Sequence, residues 1–127
     1  MTWRIFRRDQ RGATAVEFAL TIPAFMLFVV AIMDGAMMMW TQLGLQHGAE
    51  MAARCAAVNT TTCGTNANIQ SYAAAQAYGL SMTSSAYTVT TAACGKTVTG
   101  NYTYTLFLSY VGVVSSVALS AKSCYQN

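Results

Sequence analysis

Charged residues are scarce in this chain. They make up 9% of its 127 residues, whereas apolar residues make up 54%. A typical soluble domain carries about 25% charged residues, so the composition argues against a free cytosolic enzyme and against a disordered tail. The length suits one ordinary domain. Some of the apolar surface must therefore be buried in lipid or in a partner.

The few ionisable side chains are placed in a way that excludes further classes of protein. All of the net charge of +3 lies in residues 1–12, which hold four arginines and one aspartate. Nucleic-acid binding needs a basic face on the folded domain, and the rest of this chain is neutral overall. With one histidine and four acids, no Ser/His/Asp set is credible. We expect no enzymatic activity, no cofactor, no small-molecule substrate and no nucleic-acid partner.

A long apolar stretch follows the basic block. Residues 13–33 contain one ionisable side chain, Glu17, and a helix of this length spans about 30 Å, the thickness of the hydrocarbon core of a membrane. Because the arginines precede it, the positive-inside rule places the N-terminus in the cytoplasm and the rest of the chain outside. Pro23, the one proline, is expected to kink this transmembrane helix.

The alternative for this stretch is a secretory signal peptide that is removed. Such a peptide has an apolar core of about 7–15 residues followed by a cleavage site of small residues. The stretch here is longer, contains Glu17 and ends in Asp34. The pattern favours a retained membrane anchor.

Helical periodicity continues beyond the membrane segment, through residues 34–58. Apolar or small residues recur on one side of this stem, so we predict one continuous helix from about Ala13 to Val58, about 70 Å long. The other prominent feature of the stem is a row of small residues at intervals of four, which allows another helix or a sheet to approach closely: Gly44, Gly48, Ala52 and Ala56.

Residues 59–127 are predicted to form a small head. Their pattern indicates a short helix over residues 66–78, with Gly79 as its C-terminal cap. Three strand-like runs follow, at residues 86–93, 101–110 and 116–123. A three-stranded antiparallel sheet packed on the stem would bury the apolar faces of both. The predicted fold class is α+β, with a long membrane helix that carries a small head.

Four cysteines lie on the predicted outer side of the membrane. Two disulfides would allow three connectivities. In a meander the first and third strands run parallel, so their ends meet, which predicts the pair Cys94–Cys124 and leaves Cys55–Cys63 as a local pair. A zinc site usually needs close ligand pairs such as CxxC, which are missing, so we expect no metal.

The N-terminal half carries a recognisable pattern. Residues 11–20 read RGATAVEFAL, followed by Pro23, by an Asp-Gly pair at 34–35 and by an Ala-rich stem that ends near Arg54. This pattern resembles the TadE-like family, the minor pilins or pseudopilins of the tight-adherence (Tad/Flp) type IV pilus system of bacteria and archaea. The resemblance covers about residues 8–58.

The resemblance implies a structural or assembly subunit of a pilus. A prepilin peptidase would cut after Gly12 and leave Ala13 as the new N-terminus, and Ala13, Glu17 and Phe18 would serve assembly. The expected location is the bacterial inner membrane, with one span. The implied partners are the peptidase, other pilins and pseudopilins, the inner-membrane assembly machinery and membrane lipid.

Two other readings compete with the pilus subunit. A membrane-anchored extracytoplasmic binding module or adhesin would keep its leader and its lipid contacts. A redox enzyme that uses Cys55 and Cys63 would need a reactive thiol of low pKa, and the spacing of these cysteines is not that of a CxxC motif. We favour the pilus subunit.

Overall fold

The computed structural model describes residues 11–107, 109, 112 and 116–126. The predicted basic leader, residues 1–12, therefore lies outside the described residues except for Arg11 and Gly12. The described elements are, in chain order, helix α1 (Arg11–Val58), helix α2 (Asn66–Ala75), a 3₁₀ turn (Ser84–Ala86) and strands β1 (Tyr87–Ala92), β2 (Gly95–Thr105) and β3 (Ser116–Tyr125).

Helix α1 is one uninterrupted helix of 48 residues, with Pro23 inside it. Its sequence is rich in alanine, leucine and methionine, which favour helix, and the turn that follows Val58 ends it. At 1.5 Å per residue the helix is about 72 Å long. The structure thus joins the apolar segment and the stem into a single rod.

Helix α2 begins as the sequence predicts but ends earlier. The hydroxyl of Thr65 caps it by accepting a hydrogen bond from the Asn68 N–H at 3.3 Å. The helix ends at Ala75 rather than at residue 78, because Tyr78 (φ +48°) and Gly79 (φ +73°) both take the left-handed conformation and turn the chain back. Gly79 thus lies in the turn after the helix, and Gln76 is the cap.

The three strands form one antiparallel sheet in the order β1-β2-β3. Tyr87 lies opposite Gly100 between the first two strands, and Lys96 lies opposite Tyr125 between the last two. The two-residue turn Ala93–Cys94 joins β1 to β2. The α+β class and the three-stranded antiparallel meander are confirmed.

The predicted bounds of the middle strand are wrong. Strand β2 runs from Gly95 to Thr105, six residues before the start of the predicted run at residues 101–110, of which residues 108 and 110 lie outside the described part. Gly100 reads as a strand breaker in the sequence, yet it lies within β2. A Cβ at this position would come within 2.9 Å of the Tyr87 ring and 2.8 Å of Leu45 Cδ1, so a glycine is needed where the sheet meets the helix. The outer strands, at residues 87–92 and 116–125, differ from prediction by one or two residues.

The core lies between the sheet, α2 and the second half of α1. Its largest fully buried side chains are Tyr87, Leu45, Ile69 and Val98, and the small residues of α1 between 49 and 56 complete it. Full burial of a large apolar side chain contributes about 1.5–3 kcal/mol. The head is therefore packed directly on the stem.

Candidate functional site on the long helix

Up to Phe28, the described side chains of α1 are not covered by the head. Every side chain described between Gly12 and Phe28 is exposed, Phe18 at 67%. α1 is the one helix within the described residues that is long and apolar enough to cross a membrane. In water so much exposed apolar surface would be unfavourable, so this half of the helix is built for lipid or for other helices.

Glu17 is the one ionisable side chain in residues 13–33. It is exposed, and Phe18 beside it is exposed as well. The hydroxyl of Thr21 donates to the backbone oxygens of Glu17 and Phe18, at 3.0 and 3.2 Å, and so satisfies itself within the helix. The carboxylate of Glu17 is thus presented on the helix surface, where a second molecule can reach it.

Gly12 and Ala13, the residues of the predicted cut, lie in α1. Gly12 is exposed, and a Cβ built on it would meet no atom within 4 Å. Gly12 therefore lies on the open surface of the helix. Glu17 lies one helical turn beyond Ala13 on the same helix face.

The second half of α1 uses its row of small residues to receive the head. A Cβ at Gly48 would lie 2.6 Å from the backbone oxygen of Ala73 in α2 and would also collide with the Tyr87 hydroxyl. At Gly44 it would lie 3.0 Å from the backbone oxygen of Ala77. The predicted small-residue row is thus the surface on which α2 and β1 approach the helix, within the same chain.

Tyr87 forms the centre of this contact. Its side chain is fully buried, and its hydroxyl donates to the Leu45 backbone oxygen at 3.4 Å and lies 3.6 Å from the sulfur of Met82. Burial raises the pKa of Tyr87 above its ordinary value. The ring therefore anchors β1 on the face of α1 that the glycines leave open.

Asp34 fastens the other end of the sheet to α1. It is only 6% exposed, and its Oδ1 accepts a hydrogen bond from the backbone N–H of Phe107 at 3.1 Å. A buried carboxylate needs such partners to offset its lost hydration. Burial also raises the pKa of Tyr104, with the negative charges of Asp34 and of ionised Tyr102 as lesser causes. Asp34 thus holds the chain after β2 against the outer end of the apolar segment.

Two replacements of Asp34 distinguish the contribution of its charge from that of its hydrogen bond. Asp34→Ala removes both, and we expect it to lower the free energy of unfolding of the head by about 1.5–3 kcal/mol, the value of a hydrogen bond to a charged group. Asp34→Asn keeps an acceptor oxygen and should cost less. Denaturant unfolding in detergent micelles, followed by near-ultraviolet circular dichroism, measures both. Equal stability of wild type and Asp34→Ala would contradict this role.

Titration at high pH reports the effect of the Asp34 charge on Tyr104. The pKa of Tyr104 is higher in the folded protein than in the unfolded chain, so its contribution to stability is present below pH about 10 and is lost as the pH rises above it. The Asp34→Asn variant removes one cause of the increase, so Tyr104 should ionise at lower pH. Ultraviolet difference absorbance of tyrosinate, with Tyr104→Phe to assign the signal, measures this shift.

An aromatic cluster lies where the turn after α2 contacts the stem. The rings of His47 and Tyr78 stack with centroids 4.3 Å apart, and Trp40 lies 6.0 Å from Tyr78. Stacking of this kind stabilises the turn after α2 despite the left-handed φ of Tyr78. His47 is thus a packing residue.

The cysteines form the two predicted pairs. Cys55–Cys63 ties the end of α1 to the following loop, and Cys94–Cys124 joins the β1–β2 turn to β3. All four cysteines are therefore bonded. Within residues 11–107, 109, 112 and 116–126, no group of three or more metal-ligating side chains is arranged to hold a metal ion.

Part of the stem remains uncovered beyond the membrane segment. Met39, Trp40 and Leu43 are 50–72% exposed and, with Ala36, Gln42 and Gln46, line a shallow groove of about 510 Å³. These residues follow helical spacing on α1, and Gln42 at the edge of the groove donates to the backbone oxygen of Ser120 in β3 at 2.8 Å. The groove is apolar and open, and its shape suits a neighbouring helix better than a small polar ligand.

Comparison with known proteins finds a family match along most of this helix. The family model for TadE-like protein matches residues 12–54, from Gly12 to the last turn of α1, so this segment is TadE-like, as the sequence pattern indicated. TadE-like proteins are structural proteins associated with the Tad pilus and are not known as enzymes. No curated protein and no solved structure matches the chain. The match ends before the head, for which the comparisons name no relative.

Proposed function

We propose that this protein is a minor pilin or pseudopilin that assembles into a Tad/Flp-type pilus through its N-terminal helix. The observation that carries the proposal is the TadE-like match over residues 12–54, which begins at Gly12 and contains the exposed apolar half of α1. A subunit that leaves the bilayer to enter a filament needs a helix whose apolar surface is free to exchange lipid for neighbouring helices. α1 has such a surface.

The proposed organisation divides the chain into four parts. Residues 1–12 are a cytoplasmic leader, residues 13–33 cross the inner membrane, residues 34–58 form the stem and residues 59–127 form the extracytoplasmic head. The disulfides fit this orientation, because disulfides persist outside the cytoplasm. The partners are the prepilin peptidase, other pilins and pseudopilins, the inner-membrane assembly machinery and membrane lipid.

Cleavage after Gly12 is the step that distinguishes a pilin from a permanently anchored binding module. It would remove the whole net charge of +3, which lies in residues 1–12. The remaining helix would then begin at Ala13, and Glu17 would be the one charged side chain within the span. Losing the arginines weakens the attraction to the cytoplasmic membrane surface, which favours extraction of the helix.

Mass spectrometry of the protein recovered from membranes tests this proposal. We expect the mature chain to begin at Ala13, and we expect Gly12→Leu to retain the full mass, because a large side chain next to the cut prevents the peptidase from closing on the backbone. Gly35→Leu is the matched control: a Cβ there also meets no atom within 4 Å, but the site is remote from the cut, so the leader should be lost.

The opposite result would favour the other reading. A wild-type chain that still begins at Met1 in cells with an active prepilin peptidase would overturn the pilin proposal. The same α1 would then serve as the permanent anchor of an extracytoplasmic binding module or adhesin.

A further inference from the structure

The structure places one end of the head at the height where the apolar segment of α1 ends. Asp34 is the first residue after the segment, and its carboxylate binds the backbone N–H of Phe107 at 3.1 Å. If Ala13 lies at the inner edge of the hydrocarbon core, Asp34 lies about 30 Å further along the helix, at its outer edge. The hydrogen bond therefore holds Phe107 at the outer membrane–water interface.

Phe107 differs from the other exposed aromatic side chains of the head. Within the described part of the head, large apolar side chains are exposed at Tyr78, Tyr102, Phe107 and Tyr125. Phe107 is the most exposed of them, at 68%, and it alone has no polar group at its tip. A phenylalanine held in that position in water would expose apolar area without compensation.

The distribution of charge in the head points to the same end of the sheet. The head has two charged residues, Lys96 and Lys122. Lys96 lies at the far end of β2, nine residues before Thr105, or about 30 Å at 3.3 Å per residue. Lys122 lies opposite Thr99, about 20 Å from Thr105 on the same measure. The described residues between β2 and β3, which are residues 106, 107, 109 and 112, carry no charge.

Burial along α1 increases shortly before Asp34. The described side chains from Gly12 to Phe28 are exposed, but Val29 and Val30 are already half-buried, one turn before Asp34. This turn lies inside the apolar segment.

We propose that the Phe107 end of the head is seated in the phospholipid interface on the outer side of the membrane that α1 spans. The inference rests on the membrane anchoring in the proposed function and adds a second point of contact with lipid. Phe107 would lie at the depth where interfacial aromatic residues are found. The carboxylate of Asp34 would lie at the same depth, but it is buried in the protein and would not face lipid. Before assembly, this contact would fix the height and tilt of the head.

Tryptophan fluorescence in phospholipid vesicles tests the seating. The full chain is reconstituted after Trp3→Phe and Trp40→Phe, and one tryptophan is then introduced as Phe107→Trp, Tyr125→Trp or Phe25→Trp. Vesicles with bromine atoms on the acyl chains quench tryptophans in contact with lipid. We expect Phe107→Trp to lose fluorescence mainly to shallow bromines, and Tyr125→Trp, opposite Lys96 at the far end, to be unaffected.

Phe25→Trp separates failure of this inference from failure of the proposed anchoring. Phe25 is 60% exposed in the middle of the apolar segment and should be quenched mainly by deep bromines. If Phe25→Trp is quenched and Phe107→Trp is not, α1 spans the membrane but the head does not touch it, and the inference is wrong. If neither is quenched, the anchoring itself is wrong. Quenching of Tyr125→Trp to the same extent as Phe107→Trp would show a head lying flat, which also overturns the seating.

Discussion

Alanine at Gly48 is expected to lower the free energy of unfolding of the head by about 1–3 kcal/mol, the usual cost of overpacking a well-filled core. Alanine favours helix over glycine, so the same change stabilises most helices. At Gly48 the added Cβ would lie 2.6 Å from the Ala73 backbone oxygen and would collide with the Tyr87 hydroxyl. Helix α2 and strand β1 must therefore move away from α1, and this movement lowers the free energy of unfolding.

Gly35→Ala is the matched control for this prediction. The chemical change is identical and lies in the same helix, but the new Cβ would meet no atom within 4 Å. We therefore expect a gain of about 0.5–1 kcal/mol from the restricted unfolded backbone. Denaturant unfolding in detergent micelles, followed by near-ultraviolet circular dichroism of the head tyrosines, compares the two. Effects of the same sign and size would mean that Gly48 has no packing role.

Valine at Gly48 extends the same argument. Its two methyl groups add to the clash with Tyr87, so the head should separate from the stem more completely than in the alanine variant. Proteolysis of the loop after α2 should then become faster, since local opening exposes it. Because Cys55–Cys63 lies about two helical turns beyond Gly48 and closes a local loop, that disulfide should form in both variants.

Much of this architecture could be predicted because its signals are local. The apolar segment, the periodicity of the stem and the row Gly44, Gly48, Ala52 and Ala56 each occupy consecutive helical turns. The pattern over about residues 8–58 was also sufficient to suggest the TadE-like family, and the family match covers residues 12–54 of that stretch. Such features need no knowledge of contacts between distant parts of the chain.

The disulfide pairs needed one more step, from strand order to geometry. A meander makes β1 and β3 parallel, so Cys94 after β1 and Cys124 in β3 lie at the same end of the sheet. The argument succeeded although the bounds of the middle strand were wrong. It depended on the order and direction of the strands, which a shift of six residues in β2 leaves unchanged.

The contacts that sequence reasoning missed join residues far apart in the chain. Asp34 was recognised only as part of a family pattern, because nothing near it indicates that the N–H of Phe107, 73 residues later, is its partner. The predicted middle strand, residues 101–110, does not include Val98 and Gly100, which lie in β2. The alternation of Thr97, Val98 and Thr99 was the available signal. Gly100 is accommodated in β2 because the Tyr87 ring packs against it, and this is a tertiary contact that the local sequence does not reveal.

Loss of pilus incorporation is the expected result of Glu17→Gln. Glu17 is the one charge in residues 13–33, and a carboxylate within a membrane costs about 2.5–3.5 kcal/mol on insertion scales, so it needs a partner. Cleavage after Gly12 would create that partner, the free amine of Ala13, whose reference pKa of about 8 keeps it mostly charged at neutral pH. The exposed carboxylate can meet the amine of an adjacent subunit as the helices stack.

Glu50→Gln is the matched control for this variant. Glu50 is also an exposed glutamate of α1, but it lies on the stem, where it accepts a hydrogen bond from the Gln46 side chain at 3.3 Å. Its replacement by glutamine removes one negative charge from the same helix outside the membrane. Both variants should insert, lose residues 1–12 and form both disulfides, and only the Glu17 variant should be missing from sheared pili.

The alternative for Glu17 is that its side chain reaches the cytoplasmic headgroups, only one helical turn away, and has no part in assembly. The headgroup contact and the bond between subunits predict different effects of Glu17→Gln on incorporation into pili. A headgroup contact is lost when the subunit leaves the bilayer, so glutamine would then be harmless or even favourable in the filament. A carboxylate–amine bond between subunits sets the axial position of one helix against the next and is strengthened by its desolvated surroundings, so breaking it leaves an unpaired buried amine.

Immunoblots of sheared pili from cells that make only the Glu17→Gln variant decide between the headgroup contact and the bond between subunits. Pili of normal amount that contain the variant would show that Glu17 interacts with lipid headgroups and that helix packing alone drives assembly.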